Sequence, residues 1–202
     1  KGGMTSVEHA ILAHPPDGWT IEHVPSFVDG SAAQRVGAFV SGYRTARDRL
    51  GAVSVQHVHM SQRADVLRAI AFLRAAERRG VPTLLHAHAS EFAVWFGRLP
   101  RPVRAWLARR LRRASSLAVL SDSWKRYYEE ALGLPPERVV VLPNPVAVPV
   151  VPAPGSSDDL VRVAFLGRIG PRKGAFDLLA AAAALPAGTR DRLRLVIAGD
   201  GD

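Results

Sequence analysis

The chain has 202 residues, 48% of them hydrophobic and 22% charged, with a formal net charge of +9 and no cysteine. That length and composition suit a globular chain with one large core or two small ones. The missing cysteines exclude a disulfide framework, thiolate chemistry and cysteine-based zinc sites, and no apolar run approaches the ~18 residues needed to cross a bilayer.

The opening "KGGMTSVEHAILAH" places Met4, Val7, Ile11 and Leu12 at helical spacing behind Gly2 and Gly3. A Gly-Gly loop at a helix N-terminus can turn its amides toward a phosphate, and it can equally be a plain turn. "WTIEHV" (19–24) and "AVSVQHVH" (52–59) read as strands. "ADVLRAIAFLRAAERRG" (64–80) has apolar residues at 66, 67, 70, 73 and 76, a helical period closed by Gly80 and Pro82. "PTLLHAH" (82–88) is the next strand, and residues 101–114 form a basic helix. "SLAVL" (116–120) is a strand; Ser121 or Ser123 caps a helix over 124–133 that Gly133 ends, and "RVVVL" (138–142) is a strand.

Short apolar runs alternating with helices predict an α/β fold, a doubly wound parallel sheet. "LPNPVAVPVVPAPGSSDD" (142–159) breaks the pattern with five prolines, a linker composition. A second α/β unit follows: a strand at 160–167, a helix at 174–186 stopped by Pro186, and a strand at 193–199. The expected organisation is a first domain over 1–147, a linker over 148–159, and a second domain from 160 to 202. The chain starts Lys1-Gly2-Gly3-Met4 and stops at "VIAGDGD", so it reads as a fragment of a longer protein with the second domain truncated.

Four features could carry chemistry. In "FLGRIGPRKG" (165–174), Gly167 and Gly170 would turn the backbone off a buried strand, and Arg168 and Lys173 would add two cations near a helix N-terminus. That combination suits a di-anion such as a diphosphate, although neither the P-loop nor the dinucleotide spacing is met; the other reading is a strand–helix turn with solvated bases. The pairs "HVH" (57–59) and "HAH" (86–88) end two strands. Within each pair both imidazoles share a face, so His57, His59, His86 and His88 converge if the strands are neighbours. They could bind metal, with only Asp65 or Glu91 as nearby carboxylates, contact a sugar or acceptor hydroxyl, or be structural. Finally, residues 1–147 carry 20 Lys/Arg against 12 Asp/Glu, and "RLPRPVRAWLARRLRR" (98–113) holds seven arginines and no acid. Val103, Trp106, Leu107 and Leu111 form one apolar stripe there. The helix either docks that stripe on its domain with snorkelling arginines or touches anionic lipid headgroups.

Together these residues resemble the GT-B glycosyltransferases of the large retaining group called glycosyltransferase group 1. "VAFLGRIGPRKGAFDLLAAAA" (163–183) is the most specific match, and it implies that Arg168 and Lys173 clamp a nucleotide-sugar diphosphate beside Gly167. "VVVLPNPVAV" (139–148) resembles the family's segment leading to the interdomain hinge, and "SLAVLSDSWKRYYEEALGLPPERV" (116–139) the stretch before it. "PTLLHAHASEF" (82–92) is similar to the family's His-Gly-Ser-Glu-Phe loop, with Ala89 in place of glycine; it implies His88 near the donor sugar and reacting centre, with His59, His86, Ser90 and Glu91 contacting sugar or acceptor. "KGGMTSV" resembles the loop whose Gly2 and Gly3 face the diphosphate, and "IAGDGD" the turn that sets Gly199 and Asp200 at the edge of the nucleotide site.

The resemblance implies two Rossmann-like domains, the first for acceptor and the second for donor. It implies retaining transfer from a nucleotide diphosphate sugar to an acceptor hydroxyl, with Arg168, Lys173 and His88 as the catalytic set. The donor is a co-substrate, and no cofactor or metal is expected. The family's first strand and its acidic donor-binding pair are not in this sequence, so this stretch alone is expected to be inactive. A glycan or lipid-linked acceptor, a cytoplasmic location peripheral to an anionic membrane face, and cell-envelope or polysaccharide synthesis fit the basic helix; nucleic acid is not an expected partner. The rival readings are a GT-B nucleotide-sugar epimerase, a basic nucleic-acid-binding module, and a metal-dependent hydrolase built on the two His-x-His pairs.

Overall fold

Two helices come first in the computed structural model, α1 (Gly3–Ala13) and α2 (Ala32–Arg49). The structure describes residues 3–146 and 159–201. The assignments made for Gly2 and for linker residues 148–158 lie outside the described residues. The chain divides into two compact units, Lys1–Ala147 and Val148–Asp202, and each is described by itself.

Helix α2 was not expected from its apolar spacing, yet its start is written in the sequence. Ser31 and Gln34 form a reciprocal capping box: the Gln34 amide donates to the Ser31 hydroxyl at 3.3 Å, and the Ser31 amide donates to the Gln34 carbonyl oxygen at 2.8 Å. Gly42 lies buried on α2 where a Cβ would come within 2.5 Å of the Pro25 carbonyl, so the 25–26 segment can cross the helix only at a glycine. Phe39 and Tyr43 reach from α2 to Phe72, at ring distances of 6.1 and 5.7 Å.

Residues 19–24 are an exposed irregular segment, not the expected strand. A strand needs a hydrogen-bonded neighbour, and among the described residues none lies beside this one.

The sheet of the first unit contains β1 (Gln56–Met60), β2 (Thr83–Ala87), β3 (Ser116–Val119) and β4 (Val139–Val141). They pair in the order β1-β2-β3-β4, every pair parallel. Parallel neighbours require crossovers. These are α3 (Ala64–Glu77), then α4 (Phe92–Gly97) with α5 (Arg101–Leu111), then α6 (Asp122–Leu132). Val58, Met60, Leu85, Ala87, Leu117, Val119 and Val139 are all buried in one core with residues of α3 to α6. Val66, Ile70, Leu73 and Ala76 of α3 join the buried set, whereas Leu67, expected on that stripe, is 55% exposed. Phe92 of α4 and Tyr128 of α6 meet with tilted rings 4.9 Å apart; burying a side chain such as Phe92 contributes ~1.5–3 kcal/mol.

The basic helix also departs from its expected stripe. Leu107, Ala108 and Leu111 face the core, and Val103 and Trp106 are exposed. The guanidinium of Arg138 donates to the carbonyls of Arg112, Ala114 and Ser115, closing the end of α5.

In the second unit β5 (Val161–Leu166) pairs in parallel with β6 (Leu193–Ala198) along its whole length. Between them run a 3-10 turn over Pro171–Lys173, α7 (Ala175–Ala183) and α8 (Ala187–Arg190). The helix expected over 174–186 is α7, which ends ahead of Pro186; that residue has no N–H to continue it and instead caps the start of α8. Among the described residues no helix is long and apolar enough to cross a membrane.

Helix α6 begins on the Ser121 hydroxyl, which accepts from the Trp124 amide, and ends at Gly133 with φ +64. Gly133→Ala forces an L-residue into that left-handed cap and brings its Cβ to 3.2 Å from the Arg112 guanidinium. Chemical denaturation should show a loss of about 1 kcal/mol; an unchanged midpoint would contradict the cap geometry.

Candidate functional site

The register of the first sheet settles where the histidines go. His59 stands opposite His86, His86 opposite Ala118, and Ala118 opposite Val140. The buried core takes the other face, so His57, His59 and His86 share one face, and the small Ala118 leaves room beside the His86 ring. Pairing runs one step beyond β2, where the His88 amide donates to the Met60 carbonyl at 2.9 Å. All four rings meet: His57 and His59 stack at 4.4 Å, His86 and His88 lie 4.0 Å apart, and His59 and His88 share a 2.8 Å hydrogen bond between Nδ1 and Nε2.

These imidazoles are held neutral at physiological pH. Burial, then the neighbouring His57, His88, His86 and His23, pulls His59 down to about 3. Burial, then His88 and His57, pulls His86 to about 3 against a backbone contact from Leu142. Burial, then His57, pulls His88 to about 4 against a hydrogen bond to the Asn144 side chain. Burial alone lowers His57. His86 is wholly buried, and neither of its ring nitrogens has a hydrogen bond of good geometry; the same holds for Nε2 of His57. Nitrogens of His57, His59 and His86 all lie within 4.8 Å of one another, so among the described residues these three could hold a metal.

Ser90 and Glu91 follow in the turn before α4. Ser90 is exposed, and Glu91 is half-buried and accepts from the Gln62 side chain at 3.3 Å. Gln62 and Arg63 were not picked out from the sequence. Arg63, leading into α3, has φ +58 and is the one described non-glycine residue in that region. Such a conformation costs on the order of 1–3 kcal/mol. Arg63 and Glu91 border a cleft of about 350 Å³ with Trp95 and Arg98. No sequence pattern announces a strained arginine. Asn144, by contrast, sits in the Pro-Asn-Pro segment that was noticed only as a hinge.

In the second unit the two glycine-rich stretches run side by side. Parallel pairing continues past the strands: the Gly167 amide donates to the Ala198 carbonyl at 3.0 Å, the Ile169 amide donates to the Asp200 carbonyl at 2.8 Å, and Ile169 bridges to Gly201. Gly167, Arg168, Gly199 and Asp200 are thus brought together at the carboxyl ends of β5 and β6, where ligands of open α/β sheets bind. Arg168 and Lys173 are exposed.

The glycine roles differ from expectation. Gly170 is extended at φ −179, and a Cβ on Gly167 would meet only the Phe165 ring at 3.8 Å. The demanding positions are Gly174, at φ +81 before α7, and Gly199, at φ +152, where a Cβ would collide with the Gly167 carbonyl. The start of α7 carries no side-chain cap, but Asp177 occupies its first turn. A carboxylate there opposes an anion at the helix end.

A parallel α/β sheet with its polar side chains gathered at the carboxyl ends of its strands is a Rossmann-like ligand-binding architecture. The sequence model described as Glycosyltransferase Family 4 matches residues 8–149, and the chain belongs to that family. Membership implies the GT-B Rossmann-like fold and points to glycosyl transfer from a nucleotide sugar to an acceptor. No curated protein matches the chain.

The contact between the two glycine stretches is open to a direct check. Gly199→Ala should lower stability by about 2 kcal/mol or more, through a clash with backbone at positive φ, while Gly167→Ala should stay within about 1 kcal/mol. Equal effects in thermal unfolding would contradict the close approach.

Proposed function

We propose that the chain is the acceptor-side domain and the beginning of the donor-side domain of a retaining glycosyltransferase, with a boundary in the proline-rich stretch around 148–159. The donor is a nucleotide diphosphate sugar, its diphosphate meets Arg168 and Lys173, and the acceptor is a hydroxyl. The observation that carries the reading is the pairing of the 167–169 loop with the 198–201 turn in a chain of this family. That pairing brings Arg168 and a close backbone turn to the carboxyl ends of two strands, with Lys173 following in the 3-10 turn, a setting that suits charge developing on a leaving group.

In glycosyl transfer the leaving group is a nucleoside diphosphate that gains negative charge as the anomeric bond breaks. Fixed cations aimed at that charge stabilise the transition state more than the ground state. Arg168 can take two phosphate oxygens with its planar fork, and Lys173 adds a point charge. Asp200 stands at the nucleotide edge, where a carboxylate can accept from ribose hydroxyls. With Asp202 it also spells an Asp-x-Asp spacing, so the assignment of the leaving-group charge to Arg168 and Lys173 rests on those cations and not on spacing. His88, neutral and hydrogen-bonded to His59 and Asn144, orients the donor sugar. As in the retaining group that the sequence resembles, attack and departure share one face, and the leaving phosphate takes the acceptor proton. Ser90 and Glu91, in the turn before α4, are the acceptor contacts of this reading.

The exposed face of α5 combines Val103 and Trp106 with Arg109. That mixture favours an acceptor presented at an anionic lipid surface, as in cell-envelope glycan synthesis.

The test is kinetic, on the protein that contains this chain. Lys173→Ala should depress kcat/KM for the nucleotide sugar by ~10² or more, by removing a charge-assisted contact to the diphosphate. Unchanged kinetics would remove Lys173 from the site and, with it, the diphosphate assignment.

A further inference from the structure

We propose that His57, His59 and His86 ligate one divalent transition-metal ion of the zinc class on the sheet face of the first unit, a site that glycosyl transfer does not itself require. Three features of the geometry carry it. The ligand nitrogens are already within 4.8 Å of one another. Zinc–nitrogen bonds of ~2.0–2.1 Å at tetrahedral angles put ligand nitrogens about 3.4 Å apart, so ring rotations of roughly an ångström at the nitrogens close the set. The three residues also sit on adjacent strands whose register is fixed by the parallel ladder, so their Cβ atoms are held in place without cost at the moment of binding.

The second feature is unmet polar demand. Nε2 of His57 and both ring nitrogens of His86 are buried without a well-formed hydrogen bond. A buried unpaired polar atom costs ~1–3 kcal/mol, and a metal ion is a partner that satisfies two of them together. The third is the outer ring of contacts. Nδ1 of His59 lies 2.8 Å from Nε2 of His88, and His88 is bonded in turn to the Asn144 side chain. In the tautomer where Nδ1–H of His59 donates to Nε2 of His88, Nε2 of His59 is left as a bare lone pair. That is how metal-ligating histidines are oriented in general, through a partner on the other ring nitrogen.

The donor set decides the ion. Three imidazoles with no carboxylate or thiolate suit zinc, cobalt, nickel or copper, and do not suit magnesium or calcium, which take oxygen ligands. Three neutral ligands leave the full +2 charge on the ion and a fourth position for water or an anionic group. Asn144 and His88 then act as positioning residues.

The experiment uses untagged protein, stripped with chelator, exchanged into clean buffer and titrated with Co²⁺ in the absence of any nucleotide sugar. The expected result is one equivalent of Co²⁺ with the intense visible absorption of a tetrahedral site, displaced stoichiometrically by Zn²⁺. His57→Gln and His86→Ala should each weaken binding by about 10² or more, and His88→Gln by about 10-fold or more. His57 is only partly buried, so His57→Gln, checked by circular dichroism, keeps the test valid if His86→Ala fails to fold. His9→Gln with His14→Gln, both on the surface, should leave binding unchanged. Absence of a stoichiometric tetrahedral cobalt spectrum, or equal binding by His57→Gln, overturns the proposal. Neither result depends on diphosphate binding at Arg168 and Lys173.

Discussion

Backbone hydrogen bonding between parallel strands is the constraint on which the first unit depends. The ladder from Gln56 to Val141 demands a crossover between every pair of strands, and the crossovers supply α3 to α6. Their apolar faces then bury one side of the sheet. The same ladder fixes which side chains share the other face, because a slip of one residue would exchange Val58 for His57 in the core. The histidine cluster is thus a consequence of strand register. In the second unit the ladder simply continues past β5 and β6, and that continuation brings Gly167 beside Gly199.

Much of this was legible in the sequence. Strands β2 to β6 and helices α3, α5 and α6 lie within a few residues of where apolar runs, periodicity, Ser121 and Gly133 placed them, because those signals are local. What failed needed distant information. "WTIEHV" has strand composition, but a strand forms only against a neighbour. Helix α2 has little apolar periodicity and is held by its capping box and by Phe39 and Tyr43 on Phe72. On α5 the local spacing puts Val103 and Trp106 on the apolar stripe, whereas the docked face is Leu107, Ala108 and Leu111. Gly167 and Gly199 look alike in the sequence, yet only the packed backbone shows that Gly199 is the one that cannot accept a side chain.

Charge is the weakest guide of all, because the arginines of 98–113 do not act as one patch. Arg113 pairs with Glu77, and Arg110 lies over the Trp106 ring at 5.7 Å. The carbonyl of Arg112 is capped by Arg138. Part of the positive surface implied by a net charge of +9 is therefore engaged in holding helices together. The cations that matter for the proposed chemistry, Arg168 and Lys173, lie in the second unit.

The most direct test of a nucleotide-sugar site is saturation-transfer NMR on this chain with UDP, GDP and ADP in parallel and duplex DNA as control. Diphosphate recognition at Arg168 and Lys173 predicts selective signals from the base and ribose of one nucleotide, lost in Lys173→Ala, with no comparable binding of DNA. A folded protein giving no signal from any nucleotide, or binding DNA with a steep salt dependence instead, would contradict it.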